Sequence, residues 1–291
     1  MAGRISRGFA LLRASWNVLK LDKELMVFPI LSFLACLAVL AVIATPVALT
    51  PSLREQFFAE GGGPEELGSA GQAAMYALLF LYYLVSYFLM IFFNTALVSC
   101  ALIRFRGGDP TVSDGLRGAT ARLPQILAWS LLAATVGLVL HLIEERVKLV
   151  GKIVVRFVGA AWTIVTYFVV PVLAVEKLGP LDAIKRSTEL LRKTWGESLI
   201  GQLSLGLATV LLSLPGIAVM ILGGLAMEST NSPWLLVGLI GLGALYLLVL
   251  AIAVSAMRQI FLTGMYLYAS TGQVAPGFSE DLMRSAFRSK G

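Results

Sequence analysis

The sequence predicts an all-α, polytopic membrane protein: six transmembrane helices in hairpins, preceded by amphipathic helices at the cytoplasmic surface. Three observations carry that prediction. Of the 291 residues, 58% are apolar and 14% charged, against about 25% charged in an average soluble domain. The mean hydropathy is +0.84. The apolar residues gather into six stretches, Met26–Leu49, Ala73–Ile103, Pro124–Ile143, Ile153–Val175, Leu199–Met227 and Trp234–Ile260. Each reaches the roughly 20 residues that a helix needs to cross hydrocarbon. Lipid then forces every such segment to close its own backbone hydrogen bonds, which a helix does.

The charges between the stretches set the orientation. With a cytoplasmic N-terminus and strict alternation, 18 of the 23 Lys and Arg residues fall on the cytoplasmic side and five on the other. The five are Arg54, Arg146, Lys148, Lys152 and Arg156. Cytoplasmic loops are enriched in Lys and Arg, so both termini are expected inside, in the bacterial cytoplasmic (inner) membrane. The net charge of +6 is dispersed over juxtamembrane segments rather than clustered, so no nucleic-acid partner is expected. Met26–Leu49 exceeds the 7–15 residues of a signal-peptide core and is expected to stay as an anchor. No interval between stretches is long enough for a soluble domain, which gives one membrane domain, 1–291. Its units are 1–103, 104–175 and 176–275, followed by a tail, 276–291.

The first element is a basic amphipathic helix. At about 100° per residue, Ile5, Phe9, Leu12, Trp16 and Leu19 fall within roughly an 80° arc, away from Arg4, Arg7, Arg13 and Lys20. Such a helix suits the membrane interface and anionic headgroups, and equally suits packing on its own bundle. The pattern recurs. Ile5 through Trp16 aligns without gaps on Ile184 through Trp195, with identities at Ile5/Ile184, Arg7/Arg186, Leu11/Leu190, Leu12/Leu191, Arg13/Arg192 and Trp16/Trp195, and Ser15 opposite Thr194. A weaker copy, Leu116 to Arg122, precedes the third span. Arg7, Arg13, Trp16, Arg186, Arg192 and Trp195 are the candidate lipid-headgroup residues, and anionic membrane lipids the expected partners. A membrane-protein partner or a second copy of the chain is also compatible.

Between spans three and four, His141, Glu144 or Glu145, Lys148, Lys152 and Arg156 recur at helical spacing. They predict one polar stripe on a helix, with Glu144 and Glu145 pairing to Lys148. Two readings stay open: a flat interfacial helix with wet charges, or a stripe that dips inward at Lys152 and Arg156 to line a cleft with Asn94. Within the spans, Asn94, Thr95 and Ser99, then Thr163, Thr166 and Tyr167, then Ser204, Thr209 and Ser213 suit helix packing, as do Gly238, Gly241 and Gly243. Pro171 and Pro215 predict kinks, which also occur where transporters build sites near the midplane. Cys36 and Cys100 lie at different depths and read as small buried hydrophobes.

No motif of catalysis, metal ligation or phosphate binding is present, so no catalytic residue, metal or cofactor is assigned. The stretch Pro171-Val-Leu-Ala-Val-Glu176-Lys-Leu-Gly-Pro180-Leu-Asp-Ala183-Ile-Lys-Arg186-Ser187-Thr-Glu-Leu190-Leu191 resembles a signature of uncharacterised bacterial six-span proteins. That group is similar to the membrane domain fused to some glycerophosphoryl diester phosphodiesterases. The resemblance implies a six-span bundle with motif positions Pro171, Glu176, Ala183 and Ser187, and no reaction of its own. The expected function is therefore a non-enzymatic, lipid-interacting or accessory subunit for a membrane-bound partner. The alternative is a permease or channel with a cleft between the hairpins.

Overall fold

The computed structural model describes residues 13–49, 68–230 and 233–278. Helix α1 covers residues 13–21 and leads through a 3-10 turn, Lys23–Met26, into α2, Val27–Leu49. Then come α3 (Ser69–Phe105), α4 (Val112–Thr120), α5 (Leu123–Arg146), α6 (Leu149–Val165), α7 (Val169–Val175), α8 (Pro180–Thr230) and α9 (Pro233–Thr271). No strand occurs among the described residues. Six helical segments are long and apolar enough to cross a membrane, so the chain is a multi-span helical membrane protein.

Local chemistry explains where these helices start and stop. Pro124, Pro180 and Pro233 sit in first turns, where a missing N–H costs nothing. At the end of α3, Gly107 adopts φ +84 and donates to the Arg104 carbonyl, while Gly108 donates to that of Ile103. That pairing is a Schellman ending, which needs a residue in the left-handed region. Gly272, φ +74, ends α9 with a bond to the Tyr268 carbonyl.

Two elements run longer than hydropathy alone indicates. Helix α9 continues 11 residues past Ile260, because Phe261, Leu262, Met265 and Tyr266 are buried in protein. Helix α3 has 37 residues, about 55 Å at 1.5 Å per residue, and extends beyond the hydrocarbon. Of the two expected proline kinks, Pro215 leaves α8 helical; the non-helical residue in that helix is Thr194, φ −120.

Two compact units emerge. The first is drawn from the described parts of Met1–Pro29, Cys100–Val112 and Glu189–Gly291. Its buried residues include Leu19 of α1, Leu25 and Phe28 from the entrance of α2, Leu102 and Phe105 from the end of α3, and Ile260 to Tyr266 of α9. Phe278 closes it with an edge-on contact to the Phe105 ring at 6.1 Å. Buried Asp22 takes both Nε and an Nη of Arg104, and Asp109 takes a further bond from the same guanidinium.

The second unit comprises the described parts of Ile30–Ser99 and Ser113–Thr188. Its core collects Ala96 to Val98 of α3, Ile126 and Trp129 of α5, and Phe168 to Leu173. The rings of Trp129 and Trp162 stack in parallel at 5.8 Å, joining α5 to α6. In both units the packed core lies at the helix ends carrying the pre-hairpin helices. Burial along the spans is uneven: the most apolar windows of spans one, two and six are 6% buried, against 28% for spans three and four.

Helices α8 and α9 approach closely at glycines. A Cβ on Gly243 would stand 2.8 Å from the Gly216 carbonyl oxygen and overlap the Met220 side chain. Gly243→Leu is expected to destabilise this hairpin by about 1–3 kcal/mol, read as a lower unfolding free energy in mixed micelles.

Candidate functional site

The three pre-hairpin helices share one geometry. In the aligned pattern Leu-Arg-x-small, Arg13, Arg117 and Arg192 are all exposed, while Ser15, Ala119 and Thr194 two residues on are each 0% exposed. One side chain anchors each helix in its own bundle, and the cation stands outside. The match holds although the third position is Ala14, Gly118 and Lys193. Gly118 is required by its neighbour: a Cβ there would come within 2.5 Å of the Ser99 hydroxyl oxygen on α3.

On α1 the buried face is Ala14, Ser15, Val18 and Leu19, so Leu19 packs inward rather than onto the interface. Trp16 belongs to the opposite face, 40% exposed, with the Lys20 ammonium 5.4 Å from its ring centroid. Arg13, Trp16 and Lys20, at i, i+3 and i+7, make one exposed cation–aromatic strip. Ile5, Arg7, Phe9 and Leu12 lie outside the described residues, as does the Trp195 side chain.

Arg186 is held by an acidic partner. Its Nε donates to both oxygens of Glu176, at 3.0 and 3.2 Å, and both side chains are half-buried. This pair belongs to a polar lock in the second unit. The Arg122 guanidinium donates to the Ala174 and Val175 carbonyls at 3.1 Å, closing the end of α7. The Ser187 hydroxyl, fully buried, accepts the Phe168 N–H at 2.9 Å.

That last bond repairs an interruption in the fourth span. Helix α6 stops at Val165, residues 166–168 form turns, and α7 begins at Val169. Pro171 sits in the first turn of α7 and removes the donor that the Tyr167 carbonyl would otherwise meet. The expected kink is thus a break three to five residues earlier. Backbone this irregular is tolerated at membrane depth only where protein buries it or it lines a water-filled cavity; Phe168, Val169 and Pro171 are buried. Ala183, 0% exposed, lets α8 pack close by. The four motif positions are therefore brought together in one unit, where they hold the break.

The polar stripe is not on one helix. Val147 is extended (φ −102, ψ 147), so α5 and α6 form a hairpin, and Glu144 and Arg156 meet across it at 3.4 Å. The spacing misleads because helical periodicity continues across the reversal by coincidence. Gly151 allows the turn: a Cβ there would lie 2.5 Å from that of Val147. Glu145 pairs with His141 at 3.2 Å rather than with Lys148, and the Tyr83 ring stands edge-on to the imidazole at 6.5 Å. Lys148 and Lys152 are exposed and make no ion pair among the described residues. Asn94 is half-buried on α3, with no hydrogen bond to the stripe. Among the described residues, Ser86 Oγ, Thr95 Oγ1, Gln125 Oε1 and Gln259 Oε1 are buried polar atoms without a hydrogen-bond partner.

Residues 73–277 match a family of unknown function, DUF6159. The chain belongs to this family. The match spans both units and includes the whole Pro171–Leu191 motif, so the break in span four and its lock lie within the family region. No curated protein matches the chain.

The sequence reading missed Asp22, Arg104, Arg122 and the break at residues 166–168. Charges flush with the ends of apolar runs were the available signal for the first three. Ser187→Ala is expected to cost about 1–3 kcal/mol, the penalty for a buried N–H left unpaired, and to lower the thermal unfolding midpoint in detergent.

Proposed function

We propose that this protein is a non-enzymatic multi-pass component of the bacterial inner membrane, with both termini cytoplasmic. It engages anionic lipid through its pre-hairpin helices and serves a membrane-bound partner as an accessory or scaffold subunit. One observation carries this reading: three helices expose an arginine at the same pattern position, each fixed by a fully buried residue two positions on. Cations and an exposed tryptophan at helix surfaces next to spans are what an anionic headgroup layer attracts.

Substituting Arg13, Arg117 and Arg192 together by Glu is expected to weaken enrichment of phosphatidylglycerol over phosphatidylcholine around the reconstituted protein roughly tenfold or more. All three are exposed, so the far-ultraviolet circular dichroism should not change. Unchanged lipid enrichment in a folded triple variant would remove the reading.

The interrupted fourth span favours a second reading, a permease or channel, because broken spans carry midplane sites in transporters. The half-buried Tyr167 lies at the break. In a background lacking Cys36 and Cys100, Tyr167→Cys is expected on this reading to react with a membrane-impermeant thiol reagent, read by mass. Complete protection in both membrane orientations would remove it.

A further inference from the structure

The hairpin of α5 and α6 carries cations that its own carboxylates do not use up. Arg146, Lys148, Lys152 and Arg156 stand against Glu144 and Glu145, and Glu145 is engaged with His141. Arg156 is 74% exposed and meets Glu144 through Nε alone, at 3.4 Å, so that contact uses neither terminal nitrogen. The guanidinium fork suits the paired oxygens of a phosphate.

Position matters as much as charge. Arg156 lies eight residues beyond Lys148, about 12 Å along the helix, within the stretch Val150–Val175 that is long and apolar enough to cross a membrane. Side chains on a helix lean toward its N-terminus, which here is the turn at Val147–Lys148. The guanidinium thus rises toward the headgroups, as its contact with Glu144 near the end of α5 also requires. Lys148, Lys152 and Arg156, at i, i+4 and i+8, form a ladder along one flank of α6. Immediately beside that flank, Ile153 and Phe157 are exposed, Phe157 at 72%. A cationic ladder flanked by an exposed aliphatic and an exposed aromatic residue matches the two ends of one molecule.

We propose that α6 holds an anionic phospholipid at this ladder, in the leaflet on the side of the α5–α6 turn. Its phosphate bridges Arg156 and Lys152, and its acyl chains lie along Ile153 and Phe157. Glu144 acts as a positioning residue, holding Nε so that the terminal nitrogens face the lipid. This site is separate from the pre-hairpin helices, so it stands or falls independently of the function proposed above.

The test uses the full chain in nanodiscs containing equal amounts of phosphatidylglycerol and phosphatidylcholine. Either lipid carries a photoreactive diazirine in its acyl chain, and adducts are mapped by peptide mass spectrometry. The wild type is expected to show phosphatidylglycerol adducts on residues 149–165 in clear excess over phosphatidylcholine adducts. Lys152→Gln should lower that ratio by about fivefold, the factor expected for one interfacial cation. Arg156→Gln should lower it at least as much, while Arg156→Lys retains part of the excess. Lys152 makes no ion pair among the described residues, so its variant keeps the test valid if Arg156→Gln misfolds. Equal labelling by the two lipids in the wild type would overturn the proposal. So would a ratio unmoved by Lys152→Gln in folded protein.

Discussion

Lipid solvates the middle of these spans as well as protein would, so burial of apolar side chains cannot hold them together there. The structure therefore places its packing elsewhere. Leu25, Phe28, Leu97, Ile126, Phe168, Leu173 and Ile260 are fully or almost fully buried, and all lie toward the helix ends bearing α1, α4 and the start of α8. Toward the opposite ends, residues such as Val42, Leu49, Leu225 and Trp234 are exposed. Each unit is a small packed core from which apolar helices project. Polar contacts then fix what dispersion leaves loose: Asp22 on Arg104 in one unit, and Arg122, Glu176–Arg186 and Ser187 in the other.

The second of these sets gives the Pro171–Leu191 motif a physical meaning. A proline in a spanning segment strips a carbonyl of its donor, and the chain answers by ending one helix and starting another. The repair is distributed. Arg122 satisfies the exit of α7, Ser187 satisfies its entrance, and Glu176 engages Arg186 so that α8 starts in a fixed place. Each member has a partner in this arrangement, which makes the cluster structural in the first instance. Among the described residues, the exposed Arg13, Arg117 and Arg192 of the pre-hairpin helices and Lys152 of α6 make no ion pair, whereas Arg156 meets Glu144.

Much of this was legible in the residues. Six apolar runs mark six spans because the length of a helix in hydrocarbon is fixed by the bilayer. The repeat at Leu12-Arg13 and Leu191-Arg192 marks equivalent helices because the same anchor-and-expose pattern solves the same packing problem. What escaped was of two kinds. The stripe from His141 to Arg156 keeps a helical period through a chain reversal, and only the extended Val147 reveals it. The last turns of α9 carry Arg258 and Gln259, which end the apolar run, yet Ile260 to Tyr266 are buried by protein rather than lipid. Hydropathy measures transfer into oil and is blind to that distinction. The alignment of Arg186 with Arg7 carries no information about Glu176, ten residues before Arg186 and its partner in the fold.

The bond between Ser187 and the Phe168 amide also has a temporal side. The two residues are 19 positions apart, and the hydroxyl comes later in the chain. While the fourth span is entering the bilayer during synthesis, the amide at its break lacks this acceptor until residue 187 has followed it out of the ribosome. That span must wait, sheltered by water or by the insertion machinery, until the following helix arrives. Membrane insertion and tertiary folding are then coupled over this stretch.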